Sequence, residues 1–257
     1  MSGLLLRLAG PLQSWGERSP FAADRDTAPF PTRSALIGMF AAAEGITRHD
    51  TAALDRYTAL ELTIRIDRPG HPLVDYHTAG GGLPKDRTPA TSGGSNKGAA
   101  VVTRRHYLAD AVFVVAVTGS EPDTDRLATA LARPHWAPYL GRRSCVPDEP
   151  LLLRREEPDP VGQLLHHVPL SPDPARPAPQ NGTVPITFLW EYPPATPPRG
   201  TDTLTVYDVP HSFDPHARAH GKRTLHRTVE HLPARLAAGP LTLNQHLIDY
   251  ALKEAPV

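Results

Sequence analysis

Three groups of residues have the side-chain types that bind or cut a phosphodiester chain. The first lies between Tyr76 and Leu108. There Lys85, Arg87, Lys97, Arg104 and Arg105 face one acid, Asp86, so five cations against one anion leave a local charge of +4. Tyr76, His77, His106 and Tyr107 are interleaved with them. Cations for phosphates beside aromatic faces for bases suit a single strand of nucleic acid. The same charges also fit a solvated loop. The second group is Arg133-Pro134-His135-Trp136-Ala137-Pro138-Tyr139-Leu140-Gly141-Arg142-Arg143-Ser144. Its arginines can clamp phosphate while Tyr139 or Trp136 stacks on a base; equally, the run can close a helix with both rings packed on the core. The third is Thr32-Arg33-Ser34 at the first turn of a helix, where unpaired N–H groups and the helix dipole favour an anion. An arginine at such a place more often lies on the surface.

Metal-free RNA cleavage needs a general acid and base at the 2′-hydroxyl and the leaving oxygen. His77 and His106, with Tyr76, Tyr107 and Arg104, have the right types, although single histidines beside a loop are more often bystanders. His211, His216, His220, His226 and His231 crowd the C-terminal region, and His216 and His220 have i, i+4 spacing. No cysteine and no Glu-bearing zinc motif accompanies them, and Pro215 and Gly221 bracket the pair. No metal and no other cofactor is expected. The glycine runs at 80–82 and 93–94 lack the lysine of a P-loop, and nothing resembles a nucleophile elbow.

These residues need elements to position them. Leu4 to Leu8 is a short apolar strand ended by Gly10-Pro11. Thr32 caps a helix whose Ala35, Leu36, Met39, Phe40 and Ala43 share one face, with Gly45 as its stop. Leu60 to Asp67 alternates as a half-buried strand. The Gly-, Ser-, Thr- and Pro-rich stretch from Asp75 to about Ala100 buries little and is expected as a mobile insertion. Two β-rich runs follow, 101–107 and 111–118, then a helix from about Thr124 to Arg133 and a strand at Leu151–Leu153. The order predicts an α+β, ferredoxin-like βαββαβ domain, a plan whose sheet face often serves as an RNA platform. Beyond it, 12 prolines between 158 and 198 punctuate a region expected to hold a small sheet (184–191 and 203–209) and a final helix at Leu243 to Glu254. A solvated polar segment is expected around its histidines.

Composition sets the limits. The 257 residues carry 27 Lys+Arg and 27 Asp+Glu, so charge-driven binding of a histone-like kind is excluded and a local basic groove is not. The 30 prolines exclude a long all-helical protein. One cysteine, Cys145, excludes an intramolecular disulfide and a cysteine-rich zinc module. Arg7 interrupts the apolar start, which is too short for a membrane span and lacks a signal cleavage site; a soluble, cytoplasmic protein is expected.

LLLRLAGPLQSWG, FPTRSALIGMFAAAEGI, DYHTAGG, VVTRRHYLADAVFVVAV and PYLGRRSCVP, in that order over residues 4–153, resemble the Cas5-type (CasD) subunits of type I-E CRISPR Cascade complexes. The resemblance implies a RAMP-type, ferredoxin-like RNA-binding domain at about 1–155. It would carry a long β-hairpin thumb at about 76–105, followed by a Pro- and His-rich, partly irregular region at 156–257. It implies a subunit that caps the 5′ handle of CRISPR RNA for antiviral defence, beside the CasC backbone subunit, the large CasA subunit and the rest of Cascade, with no membrane contact. By the same implication Gln13, Ser14 and Trp15 lie in the first loop near the handle, and Arg33 and Ser34 open the helix facing it. Tyr139, Arg142 and Arg143 would hold RNA together with the thumb residues Tyr76, His77, Lys85, Arg87, Lys97, Arg104, Arg105 and Tyr107. The resemblance implies a non-catalytic scaffold. The alternative is a metal-independent endoribonuclease using His77 and His106, since a Cas5-type relative in a related subtype does cut RNA.

Overall fold

A computed structural model describes residues 2–16, 23–80, 84–87, 100–193, 200–214 and 217–252. Strand β1 is Ser2–Ala9, and the two-residue strands Leu12–Gln13 and Asp24–Arg25 are β2 and β3. Helix α1 (Arg33–Ala43) precedes four strands, β4 (Glu61–Arg68), β5 (His71–Ala79), β6 (Val101–Ala109) and β7 (Val112–Gly119). Helix α2 (Glu121–Ala132), strand β8 (Leu152–Glu157) and helix α3 (Pro160–His166) come next. Strands β9 (Thr183–Trp190), β10 (Asp202–Ser212) and β11 (Ala219–Pro233) and helix α4 (Leu243–Leu252) complete the chain.

Local chemistry sets the helix ends. The Thr32 hydroxyl accepts from Ala35 N at 3.4 Å and caps α1, which ends before Gly45 at φ +76°. The Ser120 hydroxyl caps α2 in the same way, so that helix starts three residues before the expected Thr124.

Seven strands form one antiparallel sheet in the order β10-β11-β9-β4-β7-β1-β8. The β-α-β-β-α-β run β1-α1-β4-β7-α2-β8 contributes the four adjacent strands β8-β1-β7-β4. One face packs on α1 and α2 through Leu4, Leu6, Leu8, Phe113, Val115 and Leu127. The other face buries Leu5, Val114 and Ala116 under Leu164 of α3 and Leu247 and Tyr250 of α4. Burial on both faces explains why β1 and β7 are almost wholly apolar.

Four expectations change here. The sheet face is no open RNA platform, because α3, α4 and residues 168–170 cover it. Strand β4 is not half-buried: its polar face lies under the same cover, with Arg65 and Asp67 inaccessible. Arg65 Nε donates to Asp67 at 2.7 Å, and its other donors reach the carbonyls of Leu164, Val168 and Pro169. A buried ion pair persists only when its remaining donors and acceptors are met in this way. The C-terminal strands form no small separate sheet. They extend the large one through the β4–β9 pairing, so hydrogen bonding runs unbroken across the expected boundary near residue 155. The segment expected to be solvated polar chain holds the 15-residue strand β11.

A second, smaller sheet projects from the first. Strands β5 and β6 pair antiparallel from His71↔Ala109 to Ala79↔Val101, and β2 and β3 add to the other edge of β6. The hairpin therefore starts at residue 71 and ends at 109, wider than the expected 76–105. Gly70 turns the chain from one sheet into the other. Its φ is +76°, and a Cβ there would lie 2.7 Å from the Ala109 carbonyl oxygen. The Gly-, Ser-, Thr- and Pro-rich residues at 81–83 and 88–99, expected as part of a mobile insertion, lie outside the described residues.

Candidate nucleic-acid interface

The base of the β5–β6 hairpin meets two loops. Ser14 N donates to Leu140 O at 3.0 Å, and the Ser14 hydroxyl donates to His106 O at 3.0 Å. Gly141, at φ +84°, presses its Cα against the Ser14 carbonyl so closely that any Cβ would collide with it. These contacts lock the 139–145 loop onto the 12–16 segment and both onto β6.

Arginines from three segments gather at that junction. Arg25 in β3 pairs with Arg105 in β6, and Arg142 Nη2 donates to the Arg25 carbonyl at 3.0 Å. The Arg142 guanidinium lies over the Tyr107 ring, 4.6 Å from its centroid. Arg25 Nε and Arg142 Nη1 are buried without a hydrogen-bond partner. Among the described residues none of the three arginines forms an ion pair with a carboxylate. Burial first, then the Arg105 and Arg142 charges, pulls the Arg25 pKa below its ordinary value. Arginine still stays charged at neutral pH, so the cluster stores repulsion that an anion would relieve. Its donors match phosphate oxygens and the Tyr107 ring holds one of them in place.

The hairpin itself has two distinct faces, because cross-strand partners point the same way. Asp75, His77, Thr103, Arg105 and Tyr107 share one face, and Val74, Tyr76, Arg104 and His106 the other. Tyr76 is 67% exposed with Arg104 5.7 Å from its ring centroid, an arginine–aromatic pair open to solvent. His106 Nε2 is 2.8 Å from Asp24 Oδ1. His77 and His106 therefore lie on opposite faces of this hairpin. Arg87 is exposed; the Lys85 side chain and Lys97 lie outside the described residues. Tyr139 is half-buried and Arg143 exposed in the loop that carries Arg142.

Six expected contacts turn inward instead, Tyr107 among them: it is 5% exposed and lies in the core beneath Arg142. Gln13 is fully buried and its Nε2 donates to Leu8 O and Ala111 O. Ser14 is spent on His106 as above, and Trp15 lies in the core. Apolar burial of Trp15 outweighs any stacking use of its ring. Arg33 is 7% exposed; its Nη1 donates to both Glu191 oxygens at 2.7 and 2.9 Å and its Nη2 to Tyr57 O. The α1 N-terminus does hold an anion, but an internal one: Arg33 N donates to Asp208 Oδ2 at 2.7 Å. Arg223 joins Asp208 and Glu191 into the same network, and both Nη groups of Arg33 are committed to internal partners. Ser34, half-buried, has its hydroxyl 3.3 Å from that of Thr32.

Arg25 was absent from the sequence reading. It sits in a two-residue strand amid a loop, and only its parallel pairing with Arg105 gives it a role. Among the described residues no three His, Cys, Asp or Glu side chains group as a metal site, and no helix is long and apolar enough to cross a membrane.

Comparison with known proteins agrees with this architecture. Residues 3–226 match the family described as CRISPR-associated protein (Cas_Cas5). The chain is 37% identical over 185 residues to CRISPR system Cascade subunit CasD of Escherichia coli (strain K12), covering 67% of this chain and 80% of that one. A solved chain of a CRISPR RNA-guided surveillance complex superposes with a TM-score of 0.84 at 48% identity, covering 98% of this chain and all of the other. A crystal structure of a Cas protein gives a TM-score of 0.53 at 29% identity over 93% of this chain and 99% of its own. With the family match spanning most of its length, the chain belongs to the Cas5 family of CRISPR-associated proteins.

Proposed function

We propose that this protein is a non-catalytic subunit of a type I-E Cascade complex that grips the 5′ handle of CRISPR RNA and helps assemble the complex. The observation that carries the reading is the Arg25–Arg105–Arg142 cluster at the base of the β5–β6 hairpin, with two guanidinium nitrogens buried and unpartnered. Such a site binds phosphate, and the Tyr76–Arg104 pair on the opposite face of the hairpin offers a separate exposed ring to a base. The likeness to E. coli CasD and to a chain of an RNA-guided surveillance complex supports CRISPR RNA as the nucleic acid.

The strand order β8-β1-β7-β4, with α1 and α2 on one face, supports a ferredoxin-like core, the C-terminal strands being an extension of its sheet. The β5–β6 hairpin is its thumb. The protein works in the cytoplasm, where its neighbours are the CasC backbone subunit and the large CasA subunit. The placement of His77 and His106 on opposite hairpin faces supports a scaffold role over a nuclease.

The test is to incubate the full chain with end-labelled repeat RNA in EDTA, on parallel native and denaturing gels. Retention of intact RNA that depends on the 5′ handle is expected. A discrete metal-independent cut would overturn the scaffold reading, and retention without regard to the handle would overturn the assignment of the ligand.

A further inference from the structure

Arg7 interrupts the apolar strand β1 at 5% exposure. Its Nε is buried without a hydrogen-bond partner, and among the described residues it forms no ion pair. An arginine taken out of water without a partner is strongly destabilising. Strand register and hydrogen bonds place its neighbours. Val114 of β7 pairs with Arg7 on one side and with Arg65 of β4 on the other. Both arginines therefore stand on the face covered by α3 and residues 168–170, two strand spacings or about 10 Å apart. In the next row Val112 joins Ala9 to Arg68 in the same way. Residues 148–151 close the edge beyond β1, where Arg7 N donates to Leu151 O and Asp148 N to Ala9 O, both at 2.8 Å. Asp67 is already committed, accepting from Arg65 Nε at 2.7 Å and from Ser171 N at 2.9 Å. Arg176 Nη2 donates to Asp67 O and Ser171 O at 2.7 and 2.9 Å, so residues 171–176 roof the same corner. Two further donors are orphaned there: Arg68 Nε and the Ser171 hydroxyl are buried without partners. Four arginines (7, 65, 68 and 176) thus meet two carboxylates, Asp67 and the exposed Asp148. Burial lowers the Arg7 pKa; Asp148 and Asp67 oppose that shift and Arg68 adds to it.

We propose that Arg7, Arg68 and Ser171 form a binding site for one small oxyanion, an inorganic phosphate or a single carboxylate group, seated between β1, the end of β4 and the 171–176 segment. Guanidinium and hydroxyl donors match the oxygens of such an ion, and its charge offsets the local excess of cations. A backbone phosphate of RNA carries a sugar on each side and does not reach an arginine with so little exposed surface. The site is therefore separate from the Arg25–Arg105–Arg142 cluster, and the inference does not depend on the RNA reading. Its occupant ties β1, β4 and residues 171–176 together two residues before Gly70, where the chain leaves for the β5–β6 hairpin.

The experiment is thermal unfolding of the full chain in sodium phosphate, sodium acetate and sodium chloride at equal ionic strength and pH. The wild type, Arg7→Met, Ser171→Ala and Asp148→Asn are compared. Arg7→Met removes an unpaired buried charge and keeps much of the volume, so in chloride it is expected to melt no earlier than the wild type. Phosphate strengthens hydrophobic burial in any protein, so the difference between variants carries the result. The wild type is expected to gain about 5 °C in saturating phosphate beyond the gain of Arg7→Met. Ser171→Ala, which loses one donor to the ion, is expected to need about tenfold more phosphate for the same gain. A gain in acetate that is also lost in Arg7→Met assigns the seat to a carboxylate, the group that an acidic side chain of a neighbouring subunit presents; a gain in phosphate alone assigns it to phosphate. Equal gains in the wild type and Arg7→Met overturn the site. If Arg7→Met does not fold, an unchanged phosphate midpoint in Ser171→Ala overturns it. Early melting of Asp148→Asn, with no anion-dependent gain in the wild type, overturns it in favour of an internal Arg7–Asp148 pair.

Discussion

Removing Arg25 and Arg142 together separates a phosphate site from a structural one. Both guanidiniums carry a buried nitrogen without a partner, and burial beside two other arginines lowers the Arg25 pKa. In the free protein, Arg25→Ala relieves repulsion. Arg142→Ala loses the stack on Tyr107 and the bond to Arg25 O, together about 1 kcal/mol. The two effects oppose each other, so stability is expected to change by under about 1 kcal/mol. RNA binding behaves differently. Two contacts at a slope of about 0.7 each give a factor of roughly 25 at 0.1 M salt relative to 1 M, or about 2 kcal/mol. The assay is anisotropy with handle RNA between about 50 and 500 mM salt, with a thermal melt on the same samples. A double variant with weakened binding, reduced slope and near-constant melting temperature bears out the reasoning. A variant that melts early while its slope stays at the wild-type value refutes it, because the arginines would then serve the fold and not the ligand.

Glu191→Gln strips Arg33 and Arg223 of a shared carboxylate in a nearly dry network; a loss of about 3 kcal/mol in denaturant unfolding is expected, with the RNA salt slope of the folded protein unchanged. Gly141→Ala forces a side chain onto the Ser14 carbonyl at a positive φ, so both the melting temperature and handle affinity should fall, as measured on one preparation. Trp15→Ala opens the core and is expected to cost about 3–5 kcal/mol, whereas Trp15→Phe should keep handle affinity within about twofold by anisotropy, since the ring never reaches solvent.

Much of the site was visible in the chain because its parts are contiguous. Arg142 sits in PYLGRRSCVP, Arg105 and Tyr107 in VVTRRHYLAD, and both patches combine arginine with aromatic residues. Arg25 was not visible, because its neighbours come from distant segments and nothing in the flanking residues marks it. Gln13, Ser14, Trp15 and Arg33 lie in motifs that identify the family, yet their side chains hold the loops and the α1 end that present the site. A motif by itself does not say which way a side chain points. Strand β11 was hidden by a change of face: Arg223 and Leu225 turn toward the α1 side, while Thr228 and Leu232 turn toward the α3–α4 side. The apolar period of two therefore slips midway, and the histidines between make the strand look solvated. The alternating Glu61–Arg68 strand misled in the opposite direction, since its polar positions are satisfied by a buried ion pair and by backbone carbonyls.

The most direct test of the account is photocrosslinking from a 5′ handle carrying 4-thiouridine, with the crosslinked peptides of the full chain identified by mass spectrometry. Crosslinks to residues 23–28, 104–107 and 139–143 are predicted, weakened by excess unlabelled handle RNA. Crosslinks confined to the Arg33–Glu191–Arg223 region, or to the covered sheet face beneath α3 and α4, would contradict it.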